Sequence, residues 1–189
     1  QWAWLIAAAS VLAAIGLGYS RSTTLDATGG RPVRLNFDPP EGLSFPATRA
    51  DFLEVSPDGR MIVFTGVTRE GKRQLWLRSL DSLEAQPVPD SQDALWPFWS
   101  PDSRSIAFGA QGKLKRLDLG AGKPRVLCPA ARIGGGTWSR EGVILFVPNW
   151  GVGVSQVSAE GGEPKILTHP DPAKNEPAHR GPIFLPDGR

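Results

Sequence analysis

A short phrase built on serine, proline, aspartate and glycine returns along the chain, and nothing else in the sequence restricts the fold as strongly. It reads Ser56-Pro57-Asp58-Gly59-Arg60, then Ser100-Pro101-Asp102-Ser103-Arg104, then Ser139-Arg140-Glu141-Gly142, then Leu185-Pro186-Asp187-Gly188-Arg189. Counted from Ser56 to Ser100, Ser139 and Leu185, the copies lie 44, 39 and 46 residues apart. A phrase that returns every forty-odd residues marks a chain of stacked units, each too small to bury its own apolar face.

The residue types identify the unit. Serine favours the first position of a type I turn, proline the second and glycine the fourth, where a positive φ is easy, so each copy predicts a tight β-hairpin. In the second copy Ser103 stands in the glycine position, which predicts local strain or a different turn. A bulky residue precedes each turn (Val55, Trp99, Trp138, Phe184), and an apolar run follows it: Met61-Ile62-Val63-Phe64, Ile106-Ala107-Phe108 and Val143-Ile144-Leu145-Phe146. Third strands are predicted at Gln74–Leu80, Lys113–Leu119 and Val154–Val157, and short fourth strands around Pro87-Val88, Val126-Leu127 and Ile166-Leu167. Proline near the start of the fourth strand suits an outer edge, where a missing N–H faces solvent. Four antiparallel strands in about 40–45 residues describe a β-propeller blade, and no apolar period of 3.6 runs through any unit to support a helical repeat.

The expected fold is therefore all-β, a partial β-propeller. Its blades span residues 50–93, 94–133 and 134–180, and 181–189 supplies the first strand of a fourth. Propellers close with about 4–8 blades, so the chain reads as a fragment of a longer protein. Val33, Leu35 and Phe37 alternate with polar residues and predict a lone strand. With its Pro39-Pro40-Glu41-Gly42 turn it occupies 33–49, a candidate to close the complete ring.

Residues 1–19 predict a transmembrane helix. No charge occurs from Trp2 to Tyr19, with Trp2, Trp4 and Tyr19 placed where aromatic side chains favour the membrane interface. A cleaved secretory signal is the competing reading, with Gly16-Leu17-Gly18 as the small residues at a cleavage point. On either reading, residues 20–189 lie outside the cytoplasm, periplasmic or at the cell surface. Residues 20–32 form a polar, glycine-containing linker.

Three strings, PFWSPDSRSIAF, GGTWSREGVILF and GPIFLPDGR, resemble the WD40-like (TolB-like) β-propeller repeat of bacterial periplasmic and cell-surface proteins. More narrowly, an apolar helix, a linker, a lone strand and then such blades resemble the region that follows the kinase domain in bacterial receptor-type serine/threonine kinases. The resemblance covers residues 33–189 and implies a kinase domain N-terminal to this segment. Similar propellers precede prolyl-oligopeptidase-like hydrolase domains or stand alone as TolB-like periplasmic components, and both alternatives stay open.

Chemistry within the segment is not indicated. Ser56, Ser100 and Ser139 are followed by proline or arginine and lack the Gly-x-Ser-x-Gly nucleophile context. Gly151-Val152-Gly153 has no following helix to form a dinucleotide loop. His169, His179 and Cys128 share no zinc spacing, so no metal or cofactor is expected. Asp58, Asp102, Glu141 and Asp187 recur once per unit and could ring a cation; the simpler reading is that each carboxylate bonds its own turn. Lys and Arg number 21 against 19 Asp and Glu without long like-charge runs, which gives no reason to expect nucleic acid. Partners are therefore the membrane, through residues 1–19, and a protein or small-molecule ligand. The candidates for contacting that ligand are Trp96, His179 and Arg180, in loops leading to inner strands, and Trp150 in the hairpin Asn149-Trp150-Gly151. Each has a packing or solvent-facing alternative.

Overall fold

The computed structural model describes residues 37–46 and 53–185. The predicted membrane helix and linker, most of the 33–37 strand, and Asp187 lie outside the described residues. Among the described residues no helix is long and apolar enough to cross a membrane, and the helical structure is one 3₁₀ turn, Pro172–Lys174.

Three antiparallel sheets succeed one another along the chain. The first contains β1 (Leu43–Ser44), β2 (Leu53–Val55), β3 (Met61–Thr68), β4 (Arg73–Ser79) and β5 (Ala85–Pro87). The second is β6 (Leu95–Trp99), β7 (Ser105–Ala110), β8 (Lys113–Asp118) and β9 (Arg125–Pro129); the third is β10 (Gly136–Trp138), β11 (Val143–Phe146), β12 (Ser155–Ser158) and β13 (Lys165–Ile166). In the second and third sheets each strand pairs with its sequence neighbour. Pro87 sits in the outer strand β5, where a proline removes no ladder bond that the sheet needs.

Two expectations need correction. The first blade is not four-stranded. β3 is long enough to pair with β2 along Ile62–Phe64 and with β1 along Val67–Thr68, so a two-residue strand directly after the Gly42 turn joins the same edge. Residues 181–185, expected as the first strand of a fourth blade, form no strand. A strand exists through its ladder, and among the described residues these have no neighbouring strand; Ile183 stays 80% exposed and Leu185 59%.

Period-two alternation divides the core. In the second sheet Trp99, Ile106, Phe108 and Ala110 face the first sheet and pack with Val63, Leu75, Val88 and Ala94. Phe98 and Ala107, one residue out of phase, face the third and pack with Trp138, Ile144, Phe146 and Val157. The middle sheet is thus covered on both faces, and β7 is buried along its whole length. Gly136 allows a close approach at the second junction: a Cβ there would strike the Phe98 ring.

The first two copies of the repeated phrase form the same turn, and the third closes one residue sooner, the Ser139 N–H donating to the Val143 carbonyl where Ser56 and Ser100 donate to those of Met61 and Ser105. Ser56 Oγ donates to Asp58 Oδ1 at 2.6 Å, and that oxygen accepts the Arg60 N–H at 3.0 Å. Ser100 and Asp102 repeat the arrangement at 2.6 Å, with the Arg104 N–H at 3.0 Å. Gly59 and Gly142 carry φ of 70° and 79°, and Ser103 is held in the same left-handed region at 62°. The second turn keeps the shape of the first at the cost of strain at Ser103.

Candidate functional site

Antiparallel connectivity sorts the loops into two sets. The serine turns and the connections after β4, β8 and β12 meet at one end of the sheets. The β3–β4, β7–β8 and β11–β12 hairpins and the blade-to-blade crossings meet at the other.

The turn end is occupied by structural contacts. Asp58 and Asp102 have their carboxyls held below the usual range, first by the hydroxyls of Ser56 and Ser100 and then by the backbone N–H groups of Arg60 and Arg104. Ser139 acts likewise on Glu141. The serine hydroxyls and carboxylates therefore close turns, and among the described residues no three metal-ligating side chains are grouped to hold an ion. A cleft of about 350 Å³ at this end lies beside Asp102, Arg116, Trp138 and Arg140. Arg116 seals the second junction across it. Its guanidinium lies 5.0 Å from the Trp138 ring centre, bonds Asp118 at 2.6 Å and Glu160 at 2.8 Å, and donates to the Ala159 carbonyl at 3.0 Å. Cys128 is buried, and burial pushes its thiol up to about 11, so it is a packing residue at neutral pH.

The opposite end carries the residues singled out by sequence. Trp96 lies inside β6, where the pairing shifts between Leu95 and Phe98, and has φ of 53°. This bulge turns its side chain against the core between the second and third blades, so it is half-buried. His179 fastens the loop after β13: its Nδ1 lies 2.7 Å from Thr168 Oγ1 and its Nε2 3.4 Å from Glu176. Thr168 Oγ1 in turn accepts the Val154 N–H at 2.9 Å. The next residue, Arg180, is exposed, and its guanidinium lies 4.8 Å from the centre of the Trp150 ring. A second guanidinium, from Arg132, lies over the same ring at 4.0 Å. Gly181 N donates weakly to the Gly134 carbonyl at 3.4 Å, bringing the loop that carries Arg180 to the one that carries Arg132.

Trp150 and Arg180 thus meet in one place. Trp96 lies near it, against the Gly135–Gly181 contact, and His179 stands behind it as a fastener. Sequence reasoning missed Arg132. The available signal was a basic residue in the β9–β10 crossing just ahead of Gly134-Gly135-Gly136, a place where a loop passes over the end of the next blade. Gly151, which follows Trp150 in the chain, lines a cleft of about 420 Å³ together with Pro170, Pro172, Asn175, Glu176 and Pro177.

Known structures with this arrangement are propellers. TolB from Acinetobacter baumannii aligns with a TM-score of 0.54 at 22% identity, over 77% of this chain and 37% of that one. A protein described as TolB from Agrobacterium tumefaciens aligns at 0.53 and 21%, over 60% and 44%. The fold is a partial TolB-like β-propeller. At such identity the likeness concerns fold alone, and the chain spans less than half the length of either structure. No protein-family model matches the chain, and no curated protein matches it.

Proposed function

We propose that this chain is the membrane-anchored part of an extracytoplasmic β-propeller that works as a binding or sensing module and performs no catalysis of its own. The observation that carries the binding role is the loop end of the blades, where Arg132, Trp150 and Arg180 are exposed together, while at the turn end Asp58, Asp102 and Arg116 are engaged in hairpin and blade-to-blade contacts. The anchor rests on the uncharged run Trp2–Tyr19. In the complete protein a serine/threonine kinase domain N-terminal to the helix would receive the signal, a reading supported by the order of helix, linker, strand and blades.

A second reading is a TolB-like periplasmic component released by cleavage of the apolar segment, and the similarity to the two TolB folds favours it. The prolyl-oligopeptidase-like alternative rests on the resemblance of the repeats and would place a Gly-x-Ser-x-Gly motif downstream.

Fusing alkaline phosphatase or a green fluorescent protein after Arg189 in a Gram-negative host tests the topology. An active phosphatase, a dark fluorescent protein and a fusion retained in membranes are expected. Cytoplasmic fluorescence would overturn the reading, and release of a shortened fusion into the periplasm would select the TolB-like alternative.

A further inference from the structure

The chain contains two arginine–tryptophan assemblies, and they differ in one respect. Arg116 on Trp138 is neutralised: Asp118 and Glu160 bond it, and Arg125 shares Glu160 at 2.8 Å. Arg132 and Arg180 on Trp150 are not. Among the described residues neither pairs with a carboxylate, and neither guanidinium donates a hydrogen bond to a described side chain or carbonyl. Both charges lie within 4.8 Å of one ring centre, so they are held inside about 10 Å, the screening length at 0.1 M salt. Like charges gathered on one ring repel, and the ring's attraction for each cation offsets this only in part. Each fork presents donors that no acceptor among the described residues takes.

An oxyanion accepting from both forks completes such a site, as Glu160 does for Arg116 and Arg125 at the other end. The neighbouring cleft gives the rest of the specification. Three prolines and Gly151 make the stiff apolar part of its wall, Asn175 and Glu176 the polar part, and its volume lies within the range of small-ligand pockets. Its one carboxylate is already engaged: Glu176 accepts the Asp171 N–H at 2.9 Å and faces His179. The 3₁₀ turn at Pro172–Lys174, capped by Asp171, and the Thr168–His179 contact fix this wall, so little ordering is needed on binding.

We propose that Arg132, Trp150 and Arg180 form a carboxylate-binding site, in which both guanidinium groups hold the carboxylate and the proline-lined cleft takes the apolar part of the same ligand. The ligand is an organic acid with a short apolar body, either free or as the C-terminal residue of a peptide. This rests on the reading of the propeller as a binding module but requires neither the anchor nor a kinase.

Calorimetric titration of the full chain in detergent, at low and high salt, tests it with three probes: hexanoate, N-acetyl-tetraalanine with a free C-terminus, and the same peptide amidated. The free-acid peptide is expected to bind with Kd below about 1 mM, more weakly at high salt, and the amide at least tenfold more weakly. Binding of hexanoate as well identifies a free acid as sufficient, and its failure beside a binding peptide acid identifies a peptide end; both support the site. Arg132→Gln and Arg180→Gln should each weaken binding tenfold or more without moving the melting temperature by more than a few degrees. Arg132→Lys keeps the charge but loses the fork, and an intermediate loss is expected. Equal binding of acid and amide, or no binding of any probe by about 10 mM, overturns the proposal. Unchanged binding by both glutamine variants overturns this site while leaving a binding module that uses another surface.

Discussion

The hydroxyl of Ser103 accepts the backbone N–H of Asp58 at 3.0 Å, so the turn of the second blade holds the turn of the first. This explains why a serine occupies a left-handed position where the sister turns use glycine. Glycine would relieve about 1 kcal/mol of strain, but the Asp58 N–H would lose its partner, at a comparable cost. Ser103→Gly should therefore leave stability within about 0.5 kcal/mol of the parent. Ser103→Ala keeps the strain and loses the bond, so it should cost about 1–2 kcal/mol. Urea unfolding of the two variants checks the order; an alanine variant as stable as the glycine variant would show that the bond carries no weight.

Trp99 crosses the same junction by two means. Its ring packs in the core between the first two blades, and its Nε1 donates to the Glu54 carbonyl at 3.2 Å. Trp99→Phe should cost about 1 kcal/mol beyond the small loss of area, and Trp99→Ala about 3–5 kcal/mol. Denaturant midpoints measure both. A phenylalanine variant as stable as the parent would show that ring packing carries the contact and the hydrogen bond does not.

The turn carboxylates set a pH response. Asp58, Asp102 and Glu141 titrate below their ordinary values because serine hydroxyls and turn N–H groups favour the charged form. A pKa that is lower folded than unfolded gives stability that is complete above the unfolded value, about 4, and is lost as pH falls through the folded one. The melting temperature should hold level from neutral pH to about 5 and fall below about 4. Asp102→Asn, which still offers a turn acceptor, should flatten that fall. Parallel curves for parent and variant would assign the acid limb to other groups.

The repeat was legible because its meaning is local. Ser, Pro, Asp and Gly each favour one place in a turn, so Ser56–Arg60 and Ser100–Arg104 announced hairpins without reference to anything distant, and the period then supplied the sheets. The pairing of Leu43–Ser44 was not legible, since two residues carry no alternation and their place depends on β3 extending past β2. Residues 181–185 have the apolar pattern of an inner strand but no ladder partner among the described residues, and pattern alone cannot supply one. Trp96 reads from sequence as part of a loop leading to an inner strand; the bulge keeps it in β6 and turns it inward. Trp150 and Arg180 were readable as polar and aromatic loop residues. Their meeting with Arg132 was not, because it joins three separate loops at one spot that only the stacked blades define.

The second junction yields the sharpest test of how blades are joined. Arg116 is mostly buried, with 17% of its side chain exposed, and it serves Trp138, Asp118, Glu160 and the Ala159 carbonyl together. Truncation removes all four contacts and leaves Asp118 without its charged partner, so Arg116→Ala should cost about 2–3 kcal/mol. Lysine can reach one carboxylate but has no planar fork to bond two while lying on an indole, so Arg116→Lys should still lose about 1–2 kcal/mol. Glu160 is 71% exposed along its side chain, so Glu160→Gln should be the mildest of the three changes, and milder still in high salt. Urea unfolding at low and high salt distinguishes these contributions. If Arg116→Lys matches the parent, charge alone joins the blades; if Glu160→Gln is the most damaging of the three, the exposed ion pair matters more than the buried fork.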